Sequence, residues 1–120
     1  MEPDEEEDVC YGQHTKIVSL DVAGNGGAKH EYLVRGHDPD GSVFAEVHFQ
    51  NGPIGEFGVN GCQMEDLLEI VKDRLCDFQA GEFACLENAL ALSSVDNAIC
   101  VLRYRTFERN RRGVEGKNLA

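Results

Sequence analysis

No stretch of the 120-residue chain approaches the roughly 18 consecutive apolar residues of a membrane-spanning helix. Met1 to Asp8 carries acids and one proline where a secretory signal carries basic residues and then an apolar run. These two absences predict a cytosolic protein. Cysteine pairs at redox or metal spacing are missing too. The five cysteines, Cys10, Cys62, Cys76, Cys85 and Cys100, are odd in number and contain no C-x-x-C, and the four histidines add no ligand spacing. Neither a disulfide framework nor a zinc site is expected. Cys76, Cys85 and Cys100 sit beside apolar neighbours in helical stretches and read as reduced thiols packed as small hydrophobes. Catalytic signatures are absent as well: there is no nucleophile elbow, P-loop, H-E-x-x-H or dinucleotide fingerprint. A non-enzymatic protein without a cofactor is the expectation.

What the chain does have is acid, unevenly spread. Its net charge is −11, yet residues 103–120 hold six basic side chains against two acids, a local +4 that leaves −15 on the rest. An acidic body repels nucleic-acid phosphates, so general DNA binding is not expected. A basic end on such a body suits a small anion.

Residues 1–13 are charged and poor in apolar side chains, which predicts a disordered acidic tail. The single domain is then expected over 14–120. Three strand candidates, His14–Val22, Glu31–Arg35 and Ser42–Gln50, are separated by turn signals at Gly24-Asn25-Gly26-Gly27 and at His37-Asp38-Pro39-Asp40-Gly41. In the last, Val43, Ala45, Val47 and Phe49 alternate with Ser42, Phe44, Glu46 and His48, the period of a half-buried antiparallel strand. Residues 51–62 carry four glycines and one proline together with Ile54, Phe57 and Val59. They read either as a shaped loop or as a plain connector from sheet to helix.

Helical spacing takes over at Met64, Leu67, Leu68, Val71, Leu75 and Phe78, and Gln79-Ala80-Gly81 ends that helix. A second helix is predicted from about Phe83 to about Asn110, with an apolar stripe of Leu86, Leu90, Val95, Ile99 and Leu102 and a stop at Gly113. The fold class expected is α+β: a small N-terminal antiparallel β-sheet (14–62), a two-helix hairpin (63–112) and a C-terminal loop (113–120). The hairpin's apolar stripe exceeds what a small sheet covers, so a homo-oligomer is expected.

Two clusters could carry chemistry. Arg105 and Arg109 are four apart and leave one helix face, where two guanidiniums could fork a pyrophosphate; Thr106 adds a hydroxyl, and the glycines after Arg112 allow close backbone approach. Arginines at a helix C-terminus also simply complement its dipole. Phe78 and Phe83 flank the hairpin connector with Asn88 nearby. They read either as an adenine site, an aromatic face with an amide, or as core phenylalanines.

Three ordered stretches resemble one family. These are Phe49-Gln50-Asn51-Gly52-Pro53-Ile54 through Gly58-Val59-Asn60-Gly61; Phe83-Ala84-Cys85 with Glu87-Asn88-Ala89-Leu90-Ala91-Leu92; and Arg105-Thr106, Arg109 and Gly113-Val114-Glu115-Gly116. Together they are similar to the first Thoeris anti-defence protein family, phage sponges that share a helical hairpin with the anti-CBASS sponges. The resemblance spans about residues 30–118. It implies a non-catalytic protein that binds glycocyclic ADP-ribose in the cytoplasm of the infected bacterial host, in pockets between two chains of a dimer, with three dimers able to form a hexamer. Some members also bind cyclic di- or trinucleotides of CBASS at separate sites. On this chain it implies Phe78 and Asn88 as base contacts, Arg105, Thr106 and Arg109 as phosphate and ribose contacts, and Arg112, Gly113, Val114, Glu115 and Gly116 as the closing loop. Leu86 stands where members usually have Arg, and Ser93-Ser94 where they have Thr-Lys, which counts against a second nucleotide site. Two rival readings are an acidic DNA-mimic inhibitor of a defence enzyme, built on the N-terminal acids, and an enzyme that degrades the messenger.

Overall fold

The computed structural model describes residues 6–38 and 40–113. These form two compact units, one up to Cys62 and one from Gln63 onward.

The first unit is a four-stranded antiparallel meander in the order β1 (Glu7–Tyr11), β2 (Thr15–Ser19), β3 (Glu31–Gly36) and β4 (Val43–His48). Turn chemistry accounts for the two connections that join β2, β3 and β4. The β2–β3 turn closes with the Gly27 N–H donating to the Gly24 carbonyl at 2.8 Å, and the β3–β4 turn with the Gly41 N–H donating to the Asp38 carbonyl at 2.7 Å. Val18, the one fully buried large side chain of the sheet, pairs with Leu33 across β2 and β3. β4 departs from the half-buried alternation expected of it, since Val43 and Phe44 are both exposed and only Val47 is partly covered.

The larger correction concerns the N-terminus. Glu7–Tyr11 is a strand, not part of a disordered tail, and it makes the sheet four-stranded. Hydropathy could not reveal it because ion pairs help to hold it. Glu6 receives two hydrogen bonds from the Arg35 guanidinium at 2.7 and 2.9 Å, Lys29 approaches Glu7 at 3.6 Å, and Lys16 approaches Asp8 at 3.4 Å. Arg35 is buried, so its charge needs such a partner.

The sheet ends in the loop 50–62, which is shaped by its amides. The Gln50 side chain donates to the carbonyls of Gly52 and Gly58 and accepts from the Asn60 N–H, while Asn60 bonds the Asn51 backbone at both ends of its own amide. A short helix α1 (Ile54–Phe57) lies inside it. A parallel bridge from Phe49 to Cys62 closes it, and at Gly61 a Cβ would fall 2.4 Å from the Phe49 carbonyl carbon. Only glycine fits there.

The second unit is an antiparallel hairpin of α2 (Met64–Gln79) and α3 (Leu86–Arg112). α2 begins where Asp66 accepts the Gln63 N–H at 2.8 Å, with Glu65 and Asp66 favouring the positive end of the helix. α3 begins at Leu86, three residues later than periodicity predicts, because Cys85 caps it: its Sγ accepts the Asn88 N–H at 3.4 Å, and its own N–H is held by Gln79 Oε1 at 3.0 Å. The helix ends at Gly113, whose φ of 75° is the left-handed cap conformation.

The apolar stripe expected along α3 is covered only in its C-terminal half. Ile99 is buried, and Val95 and Leu102 are partly covered, but Leu86 and Leu90 are exposed along with Val101, Tyr104 and Phe107. Cys76, Cys85 and Cys100 are free thiols as expected, yet exposed rather than packed.

Candidate functional site

The hairpin puts the expected ligand contacts at its two opposite ends. Phe78 closes α2 and Asn88 lies in the first turn of α3, so both belong to the tip. Arg105, Thr106, Arg109 and Arg112 lie in the last turns of α3. Seventeen residues of helix separate Asn88 from Arg105, about 26 Å at 1.5 Å per residue. One chain therefore does not gather both clusters around a molecule the size of a nucleotide.

At the tip, Phe78 is half-buried, and the Arg74 guanidinium lies over its ring at 5.2 Å from the centroid. Asn88 is partly engaged in building the turn, its Nδ2 donating to the Phe83 carbonyl at 3.5 Å. Among the described residues no donor stands within hydrogen-bond distance of its Oδ1. Phe83, expected inside the helix, sits before the cap and is 71 % exposed, so it is not a core phenylalanine.

At the basic end, Arg105 is exposed, and among the described residues no carboxylate pairs with it. Arg109, one turn on, is drawn in to 8 % exposure. The two guanidiniums share a helix face but not an environment: one is presented, the other is held. Thr106 lies between them and donates from Oγ1 to the Leu102 carbonyl at 3.4 Å, which leaves the oxygen's lone pairs to accept. Arg112 is exposed in the final turn, and Gly113 has a structural role of its own as the cap. Val114, Glu115 and Gly116 lie outside the described residues.

Carboxylates answer the neighbouring charges. Arg111 bonds Glu108 at 2.9 Å, and that hydrogen bond, with smaller help from Tyr104 and Arg112, holds the Glu108 carboxyl below its ordinary range despite the opposing effect of desolvation. Arg103 bonds Glu69 at 2.9 Å across the hairpin. Midway along, an open groove of about 340 Å³ is lined by Lys72, Cys76, Ala89, Leu92, Ser93 and Asp96. There Lys72 bonds Asp96 at 2.8 Å, which raises its pKa and cancels its charge. A groove whose cation is already matched is a poor anion site. Sequence reasoning missed both Arg74 and the Lys72–Asp96 pair; the i,i+4 spacing of Arg74 and Phe78 was the available signal for the first.

The N-terminal acids have partners as well. With Glu6, Glu7 and Asp8 each facing a cation of the sheet, that part of the segment is a stitched strand edge rather than a free polyanion. The basis for a DNA mimic is correspondingly reduced.

Comparison with known proteins identifies the family. Over 72 residues the chain is 50 % identical to "Thoeris anti-defense 1" of Bacillus phage SBSphiJ7, a match covering 60 % of this chain and 51 % of that protein. The chain thus spans about half the length of the curated relative it matches. The profile of the Acb2/Tad1 hairpin domain matches residues 42–107, which take in β4, the loop and nearly all of the hairpin. With more than half its length inside that profile and a Thoeris anti-defence protein as a relative, the chain belongs to the Acb2/Tad1 hairpin-domain family.

Proposed function

We propose that the chain is a phage anti-defence sponge that sequesters glycocyclic ADP-ribose without turning it over, blocking Thoeris signalling in the infected bacterial cell. The observation that carries this reading is the division of the hairpin: an aromatic and amide tip at one end, arginines at the other, about 26 Å apart on one helix. Two hairpins laid antiparallel bring the tip of one chain to the arginines of its partner, twice, by two-fold symmetry. Each junction then offers a stacking face and a base-edge acceptor, Phe78 and Asn88, facing diphosphate donors, Arg105 and Arg109, with Thr106 for a ribose hydroxyl and residues Arg112 to Gly116 as the closing loop. A cyclic nucleotide diphosphate presents base and diphosphate on opposite sides, which fits such a junction.

The exposed apolar residues of α3 support the same arrangement. Leu86, Leu90, Val101, Tyr104 and Phe107 are each 58–70 % exposed in the single chain. Paired chains remove that surface from water at about 25 cal/mol per Å². Dimers can assemble further into a trimer of dimers. Cyclic oligonucleotide binding, a property of some relatives of the sponge class, is weak or lost in this chain, because Leu86 replaces an arginine and Lys72 is neutralised by Asp96.

The test is calorimetric titration of glycocyclic ADP-ribose into the purified protein, followed by heat denaturation and identification of the released molecule. Tight binding with the ligand returned intact is expected. A chemically altered product would establish an enzyme in its place.

A further inference from the structure

The hairpin treats its cations in two ways. Lys72, Arg103 and Arg111 each meet a carboxylate of the same hairpin, at 2.8, 2.9 and 2.9 Å. Arg74 does not. Among the described residues no carboxylate stands at ion-pair distance from it, although Asp77 lies one turn further along the same helix. Its guanidinium lies over the Phe78 ring instead, 5.2 Å from the centroid.

That choice has physical consequences. Residues 74 and 78 are neighbours on a helix surface, and a flat, weakly hydrated guanidinium is drawn to the negative face of an aromatic ring. Arg74 covers one face of the ring, and the half-buried ring keeps part of its surface open to a flat partner. The cation also pulls π density toward itself, which makes the free face a better stacking partner for an electron-rich purine. The ring's side-chain freedom is reduced before any ligand arrives, so less ordering remains for binding.

Resting on the reading of Phe78 as the base-stacking residue, we infer that Arg74 is a positioning residue of the tip: it backs one face of the Phe78 ring and so fixes the face on which the adenine of a nucleotide ligand stacks. Arg74 carries this role through Phe78, not through a direct bond to the diphosphate. The distinction separates it from Arg105 and Arg109.

A double-mutant cycle read by calorimetry with glycocyclic ADP-ribose tests this. Arg74→Ala is expected to weaken binding about two- to five-fold, the span of an exposed cation–π contact. In a Phe78→Ala background the same substitution should cost nothing further. Arg74→Lys keeps the charge but not the flat stack, and should recover only part of the loss. A melting temperature for Arg74→Ala equal to that of the parent would assign the effect to the site rather than to folding. The inference is overturned if Arg74→Ala binds as the parent does, or if its cost is the same with and without Phe78. Arg109→Ala, run alongside, distinguishes a failure of the Arg74 role from a failure of ligand capture itself. If the parent binds, Arg109→Ala fails and Arg74→Ala is normal, the Arg74 inference falls and the sponge reading stands. If the parent itself does not bind the ligand, both fall.

Discussion

Asp21 holds the β2–β3 connection with a single carboxylate. It accepts the N–H groups of His30 and Glu31 at 3.0–3.1 Å and lies 3.4 Å from the His30 ring. Burial works to raise its pKa, but the hydrogen bonds from Glu31 and His30 and the charge of His30 outweigh that and hold it below the ordinary carboxylate value. A depressed folded-state pKa contributes stability above the unfolded value, and that stability is lost as pH falls through the folded one. Asp21→Ala should therefore destabilise the sheet unit by about 1–3 kcal/mol at neutral pH in urea denaturation, with the difference shrinking below about pH 4. At the other end of the chain, Gly113→Ala places a side chain at φ 75° and should cost about 1–2 kcal/mol of hairpin stability. Arg109→Ala should weaken ligand binding at least ten-fold in calorimetry, since a charged hydrogen bond in a dry site contributes about 1.5–3 kcal/mol.

Among elements, those that announce themselves by apolar period were legible in the sequence, and β1 was not. The hairpin helices and β2 to β4 follow from spacing and turn residues alone. β1 is an edge strand of five exposed residues, and the ion pairs beside it reach Arg35, Lys29 and Lys16, partners that no local pattern reveals. The start of α3 was misread for a related reason: the capping thiol of Cys85 is a weaker signal than the hydroxyl or carboxylate usual there. The candidate site residues were read from spacing and from the family resemblance, and the separation of Asn88 from Arg105 already follows from the single helix that the spacing predicts. Arg74 escaped because a lysine- and arginine-bearing polar face looks alike whether its cations meet acids or rings. A consequence at this scale concerns the acidic segment. Deleting residues 1–8 would remove part of β1, so Glu7→Gln with Asp8→Asn is the cleaner probe. The sponge reading predicts unchanged ligand affinity for that pair, whereas a DNA mimic would lose its inhibitory action.

For the whole molecule, the decisive quantity is how little the single chain buries. Among the described residues, Val18 and Ile99 are the only apolar side chains below 2 % exposure, and large hydrophobics stand open along α3. In the proposed dimer a second copy covers them and completes the split site. Light scattering should find a dimer or a multiple of it. Tyr104→Asp, on the exposed stripe, should shift that population toward monomer and reduce binding of glycocyclic ADP-ribose, although Tyr104 is not among the proposed ligand contacts. The proposed pocket is shared between chains, and complementation of two defective proteins tests that. Asn88→Ala and Arg109→Ala proteins are each titrated alone and then after mixing under conditions that allow chains to exchange. In an antiparallel dimer a mixed pair has one pocket with both defects and one with neither, so mixing should restore one tight site, half of the pockets, in every mixed dimer. Mixed dimers confirmed by mass, yet no tighter than either parent, would place both residues in a pocket of one chain and contradict the shared pocket.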